Sequence, residues 1–382
     1  MTTQAGVNLA SISRNCTRLL AELHGGELCA VIKADGYGHG MVSCAEAALA
    51  GGATWLAVAG MGEARELVAD GEFEDLEAPL LLLGPICSDD LEEAIVHGFD
   101  IVVWSEQYIA HIAQLAAMME LKARVHVKLD SGMGRFGTRD AQAATRIAQA
   151  AAAAPSLELV GLMTHFATAD ELEDAFFDEQ LERFTSWVTP LKEAYPEVIV
   201  HAANSAATLR DRRAHFDMVR CGIAIYGMDP FGKDPAEQDL EPAMEVGSHV
   251  AAVKLCKVGE SAGYGRRFTA EHDTYIGVVP IGYGDGWRRG LSNNADVLVN
   301  GHRHPLVGTV SMDSITVDLG ADPAAEQLLG LPVVLIGYQG EERITAEEVA
   351  GRLGTISYEI ACGLTRRLER RYCRDGEQCR DE

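Results

Sequence analysis

Eight short apolar runs punctuate the first 220 residues, at 28–33, 55–58, 80–83, 101–103, 124–129, 159–163, 198–201 and 218–220. Between them lie stretches with helical spacing or Ala-rich composition, such as 105–121, 139–154 and 171–195. Apolar runs this short, alternating with helices, are the pattern of parallel strands covered on both faces. Eight such units are what a (β/α)8 barrel of the TIM type needs. A doubly wound open sheet uses the same alternation, and the count of eight makes it the weaker reading. After Tyr226 the rhythm stops in M-D-P-F-G-K-D-P-A-E-Q-D-L-E-P, which reads as a linker. Beyond it come β-rich runs at 249–258, 274–281, 297–299, 305–310, 314–319 and 332–336, with one helical pattern at 345–353. The fold expected is α/β, a barrel over residues 1–235 followed by a β-rich domain over 236–382.

Charge narrows the function. With 57 acidic against 32 basic residues the net charge is −25, which argues against nucleic acid and anionic membrane surfaces as partners, since both need a basic face. No stretch approaches the roughly 18 apolar residues of a membrane span. The first residues show no basic segment followed by an apolar one, so export is not expected. Nine cysteines, at 16, 29, 44, 87, 221, 256, 362, 373 and 379, are scattered and odd in number. They read as reduced thiols of a cytoplasmic protein. Metal sites, a Ser/His/Asp triad and Walker-type loops find no support.

In a barrel, chemistry gathers where the strands end. Strand one ends in Lys33, strand five in Lys128, strand six leads to His165, strand seven to Asn204 and Ser205, and strand eight ends at Arg220 before Cys221 and Gly222. A lone strand-end lysine is ordinarily solvated. Lys33 instead follows C-A-V-I in a chain with 7 lysines against 25 arginines and precedes a Gly-rich turn. Partial desolvation there lowers a lysine's pKa and suits it to imine chemistry. His165 reads equally as a core histidine, and Ser205 equally as a helix cap. Barrels commonly bind phosphate after strands seven and eight, where Arg220 and Gly222 stand. Strand one neighbours strand eight on closure, so one small ligand could reach Lys33 with a carbonyl and Gly222 with a phosphate. Pyridoxal phosphate has both groups. In the second domain, the G-Y-G strings around Tyr264 and Tyr283 read on their own as turn chemistry.

Taken together the motifs resemble the bacterial alanine racemases, two-domain pyridoxal-phosphate enzymes with an N-terminal barrel. The likeness spans nearly the whole chain. It rests on A-V-I-K-A-D-G-Y-G-H-G from residue 30, K-L-D-S-G-M-G-R-F-G from 128, R-C-G-I-A-I-Y-G from 220, A-G-Y-G-R-R-F from 262 and P-I-G-Y-G-D-G-W-R-R from 280. The resemblance implies that Lys33 holds pyridoxal 5'-phosphate as an imine and acts as one base. Tyr264, from the other subunit of a head-to-tail homodimer, would be the second. Tyr37, Ser205, Gly222, Ile223 and Tyr358 would hold the phosphate, Arg220 would face the pyridine nitrogen, and His165 would line the ring. Arg135 and Met312 would bind the substrate carboxylate, and Asp313, Arg289 and Tyr283 would support them. Lys128 matches a position often carbamylated in the family. The implied activity is interconversion of L- and D-alanine, supplying D-alanine for peptidoglycan.

Two departures stand out. Only V-N-L precedes S-I-S-R-N where the family opens with a longer strand pattern, and Ser311 and Ser314 flank Met312 and Asp313 where a cysteine and a larger polar residue are usual. A racemase of broader or different preference, for serine for example, is the alternative that these serines keep open. A pyridoxal-phosphate carrier and a decarboxylase of basic amino acids are the other rivals. The carrier lacks a β-rich second domain, and no motif for a distal amine matches the decarboxylase.

Overall fold

The computed structural model describes residues 3–69 and 78–375. Its chain divides into two compact units, one of Ser13–Gly36 and Cys44–Ile225, the other of Met1–Ile12, Tyr37–Ser43 and Tyr226–Glu382.

The first unit is a closed barrel of eight parallel strands: Glu27–Val31, Trp55–Val58, Leu80–Leu82, Asp100–Val103, Ala123–Lys128, Leu157–Met163, Ile199–His201 and Met218–Cys221. The eighth strand pairs with the first, Arg220 opposite Cys29 and Cys221 opposite Ala30, so the sheet has no edge and the open-sheet alternative falls. The second, third and fourth strands are buried at every position. That explains their uninterrupted apolar spelling, since helices cover one face and the barrel interior the other. Strand one stops at Val31, two residues before the expected end. The helix expected from 171 begins at Phe176. Arg210 explains the second difference. Its guanidinium donates to the carbonyls of Thr168, Ala169, Glu171, Leu172 and Asp174 and lies over the Phe177 ring at 4.3 Å, holding the preceding residues as an ordered loop.

The second unit is built mainly from antiparallel β-structure. Its largest sheet runs in the order His302–Pro305, Asp296–Val299, Pro332–Gln339, Met244–His249, Gln4–Asn8, Glu369–Cys373. The departure at the start of the chain is therefore no loss of structure. Gln4–Asn8 forms a strand antiparallel to Met244–His249 and parallel to Glu369–Cys373. A three-stranded sheet of Ala252–Cys256, Thr274–Val279 and Ile315–Gly320 and a short hairpin of Ser261–Ala262 with Phe268–Thr269 complete it. Of the run expected at 249–258, His249 ends the strand before it and Ala252–Cys256 forms a strand; of the one expected at 305–310, Pro305 ends the strand His302–Pro305 and Leu306 makes a bridge to Val317. The helix Ala346–Leu353 has Thr345 accepting from the Glu348 N–H at one end and Gly354 in the left-handed conformation at the other, the pairing of signals that starts and stops a helix.

Among the described residues no helix is long and apolar enough to cross a membrane. Seven cysteines among the described residues are free thiols, five of them buried. Cys373 is disulfide-bonded, which corrects the expectation that all are reduced. Cys379 lies outside the described residues.

Candidate active site

Lys33 sits at the rim of the barrel, half-buried, on a backbone that no ordinary strand–helix junction adopts. Ala34, Asp35, Gly36 and Tyr37 have φ of 53°, 53°, 59° and 53°. Consecutive left-handed residues each cost about 1–2 kcal/mol unless glycine supplies them, so such a turn persists only where its surroundings hold it. Two features do so. Gly36 donates its N–H to Ile32 O at 2.8 Å. Glu63 accepts from the N–H groups of Ala34 and Ala59 through its two carboxylate oxygens, 2.7 Å each. Nothing in the sequence around Glu63 marks it for this.

Around the same barrel the other predicted cations gather. Lys128 is 4% exposed, ends the fifth strand and lies 5.9 Å from the Phe136 ring. Burial, then the charges of Arg220 and Arg135, bring its pKa down to about 7. His165 is held well below its ordinary value by burial, then by Arg220, Lys128, Arg135 and Lys33, and is neutral. Arg220 is 3% exposed, and burial lowers its pKa only to about 10, so it stays charged at neutral pH. It donates through Nη1 to His201 Nδ1 and through Nη2 to Thr164 O, His165 Nδ1 and Ala202 O. Its Nε–H makes no hydrogen bond among the described residues.

Arg135 is carried by a loop that Asp130 shapes. The Asp130 carboxylate accepts from Gly132 N, Gly134 N and Arg139 Nε, and these donors, opposing its partial burial, hold its pKa low. Arg135 itself is exposed and makes no hydrogen bond or ion pair among the described residues. Ser205 Oγ accepts from the N–H groups of Gly222 and Ala224, at 3.1 and 3.3 Å, which draws the turn through Gly222 and Ile223 against the start of the helix Ser205–Arg210. The barrel unit therefore brings Lys33, Lys128, Arg135, His165, Ser205, Arg220, Gly222 and Ile223 to one set of strand ends and their loops. The set is cationic with backbone donors, and it suits an anionic ligand.

The second unit holds the remaining candidates in two groups. The Tyr37 ring lies 5.1 Å from that of Tyr226, tilted by 32°, and 6.0 Å from that of Tyr358, an aromatic group that Tyr226 joins without having been marked in the sequence. Tyr264, Tyr283, Met312 and Asp313 line one open cleft with Ser311 and Ser314. Tyr264 is 73% exposed, at the tip of the Ser261–Thr269 hairpin between Gly263 and Gly265, both at φ 72°. Thr309 Oγ1 donates to Tyr264 O at 2.7 Å and fixes the tip from below. Arg367, unmarked in the sequence, bridges Asp285 and Asp313 at 3.1 and 2.8 Å. Arg289 is exposed at the start of the turn Arg289–Leu291 and makes no ion pair among the described residues.

The comparisons agree with one another. The family model described as "Alanine racemase, N-terminal domain" matches residues 7–230, and "Alanine racemase, C-terminal domain" matches 243–372. The chain is 39% identical over 379 residues to "Alanine racemase 1" of Bacillus subtilis, covering 98% of this chain and 94% of that one. It is 39% identical over 374 residues to the alanine racemase of Thermobifida fusca, covering 97% of each. Among solved structures, the alanine racemase of Streptomyces coelicolor superposes with a TM-score of 0.91 at 36% identity, covering 98% of each chain. That of Bacillus anthracis with bound L-Ala-P gives 0.87 at 38% identity, covering 98% of this chain and 96% of that one.

Proposed function

The chain belongs to the alanine racemase family, and on that premise we propose that it interconverts L- and D-alanine with pyridoxal 5'-phosphate, using Lys33 and Tyr264 as the two bases. The observation that carries this reading is the donor set of the barrel. The Lys33 amine, the guanidinium groups of Arg135 and Arg220 and the Lys128 amine, its pKa about 7, surround a neutral His165, and the Nε–H of Arg220 is left to donate. The residues present fit the cofactor: an amine for its carbonyl, the Gly222–Ile223 turn with Ser205 for its phosphate, and a permanent donor for its ring nitrogen. When bound, the cofactor supplies an electron-accepting ring that acidifies the proton on the substrate Cα.

The chain's own residues then divide the work. Inversion needs a group that takes a proton from one face of Cα and another that returns one to the opposite face. The Lys33 amine serves the first and the Tyr264 hydroxyl the second. Arg220 remains protonated, so it donates to the ring nitrogen without passing a proton to it, which favours return of the proton to Cα over transamination. Arg135 orients the substrate carboxylate, and Met312 lies against it. Tyr264 stands exposed on its hairpin, and two chains arranged head to tail complete one another's sites, Tyr264 of one serving Lys33 of the other. A cytoplasmic enzyme supplying D-alanine for peptidoglycan is the setting this reading implies.

Alanine is the favoured substrate over serine. Ser311 and Ser314, the departures in the cleft, bond to each other: Ser311 Oγ donates to Ser314 O at 2.6 Å and accepts from Ser314 N at 3.1 Å. The two hydroxyl oxygens also lie 3.0 Å apart, so they close a turn on each other and offer no fresh pair of donors to a hydroxylated side chain. Incubating the purified protein with L-amino acids in D2O, following deuterium at Cα and optical rotation together, tests the reading. L-Alanine should lose rotation and gain deuterium faster than any other member. Carbon dioxide release from a basic amino acid, or binding of the cofactor with no exchange of any substrate, would replace this reading with a rival.

Lys128 carries a second expected result. With a pKa of about 7 its amine is largely neutral just above neutral pH. A neutral amine attacks carbon dioxide, forming the N–C bond and releasing one proton to water. The resulting carbamate places an anion where Arg135 can pair with it. At fixed dissolved ¹³CO2 a carbamate carbon signal should grow as pH rises through about 7 and be missing from Lys128→Met; a variant signal equal to the parent's would assign it elsewhere.

A further inference from the structure

Inside the barrel, four side chains from four strands form a line of hydrogen bonds that the two-base reaction does not itself require. Asp100 opens the fourth strand, His126 lies on the fifth, His201 ends the seventh and Arg220 lies on the eighth. They are 0%, 0%, 0% and 3% exposed. His126 Nε2 lies 3.1 Å from Asp100 Oδ1, His126 Nδ1 lies 2.9 Å from His201 Nε2, and His201 Nδ1 lies 2.9 Å from Arg220 Nη1. Arg124 Nε, 3.2 Å from the same carboxylate, closes the far end.

The sixth strand runs between the two histidines, and any side chain there would separate them. At that level the strand presents Gly161, paired in register with His126. A Cβ at Gly161 would lie 2.1 Å from His126 Nδ1 and 2.6 Å from its Cε1. The missing side chain is what lets one imidazole reach the other, ring centres 5.0 Å apart and edge to face.

The line has only one polarity. A guanidinium can only donate, so His201 Nδ1 accepts and its proton is on Nε2. That proton points at His126 Nδ1, which must accept, so the His126 proton is also on Nε2 and is given to a carboxylate that can only accept. Either imidazole, doubly protonated, would turn an N–H toward another donor. Burial and then the Arg220 charge hold His201 well below its ordinary pKa, in keeping with this. At its other end Arg220 donates to His165 Nδ1, which puts that ring in the same tautomer.

We propose that Asp100, His126 and His201 are positioning residues for Arg220: the oriented line, terminated by a buried carboxylate, fixes the plane in which the guanidinium presents its Nε–H to the ring nitrogen of the cofactor. The part concerning the cofactor rests on the function proposed above; the tautomers do not. The line also gives the buried Arg220 charge a counter-charge on the opposite side of the barrel, relayed by two polarised rings. Loss of a buried hydrogen bond to a charged group should be felt at Arg220, although neither Asp100 nor His126 touches the ring.

The experiment has two arms. In the full-length protein with ¹⁵N-labelled histidine, measured without added cofactor, two rings assigned as His126 and His201 should carry slowly exchanging Nε2 protons and accept at Nδ1, and His201 should not titrate where exposed histidines do. An Nδ1–H tautomer at either ring overturns the proposal, whatever reaction the protein catalyses. In the second arm, Asp100→Asn and Gly161→Ala are loaded with pyridoxal phosphate; the first removes the terminal charge, the second pushes His126 aside without deleting a polar group. Each should keep the lysine-linked absorbance but with a displaced maximum. Each should lose about 10-fold or more in kcat, with KM for alanine nearly unchanged, and show more transamination per racemisation event. A folded Asp100→Asn with the parent's absorbance maximum, kcat and transamination ratio overturns the positioning role. Should both variants fail to fold, the parent's tautomers still decide. Failure of the parent to bind pyridoxal phosphate would instead strike the function proposed above and leave the tautomer result standing.

Discussion

Lys33→Ala should leave the protein folded, abolish the visible absorbance of lysine-linked pyridoxal phosphate, and lower racemisation by more than the roughly 10²–10⁴-fold that loss of one general base costs. The larger loss is expected because one amine both anchors the cofactor and moves a proton. Folding should survive because backbone groups hold the turn at Lys33: Gly36 N to Ile32 O, and the Ala34 N–H to Glu63. Alanine retains all of these. A purified variant with undiminished absorbance and no added amine would show that another lysine holds the cofactor, and Lys128, also in the barrel unit and pKa about 7, would then be the candidate. Mixed with Tyr264→Phe chains, the same variant should regain activity as heterodimers form. No recovery after confirmed subunit exchange would place both bases in one chain.

The features that carry this expectation were unevenly legible. Eight apolar runs announced the barrel because helices cover one face of the strands and the barrel interior the other, so most strand positions are buried and Leu, Val, Ile and Ala predominate. Lys33, Lys128, His165 and Arg220 were legible as strand-end residues, because a barrel sends that end of every strand to one place. Asp100, His126, His201 and Gly161 were not. Each is an ordinary letter until the strand order sets the fourth, fifth, sixth, seventh and eighth strands side by side. The glycine means something only because His126 is its register partner. Glu63, Arg210 and Arg367 were missed for a related reason. They act on backbone or carboxylates brought near by folding, and Arg367 reaches Asp313 across 54 positions of chain. The start of the chain shows the limit from the other side. Gln4–Asn8 has a weak strand pattern and is a strand because partners more than 230 residues away, Met244–His249 and Glu369–Cys373, flank it.

Tyr264→Phe should separate the two enantiomers. The substitution removes one hydroxyl and leaves the ring. The hairpin tip should keep its shape, because Thr309 holds it through Tyr264 O, a backbone atom, and the side chain is largely exposed, so little packing is lost. Racemisation should fall steeply in both directions, since each uses one base to remove the proton and the other to return it. Exchange of the Cα hydrogen in D2O should behave differently. Family resemblance puts Lys33 on the face that deprotonates D-alanine and Tyr264 on the face that deprotonates L-alanine. In the variant D-alanine should still exchange, because the Lys33 amine can remove a proton and return a deuteron on the same side. L-Alanine should exchange slower by about 10²–10⁴-fold, a gap wide enough to read by mass spectrometry of each enantiomer. An L-alanine exchange rate equal to the parent's would mean that another group serves that face, and the two-base assignment would have to be redrawn around it. Equal slowing of both enantiomers would mean instead that the Tyr264 hydroxyl acts on the bound substrate as a whole, orienting it for Lys33 rather than moving its own proton.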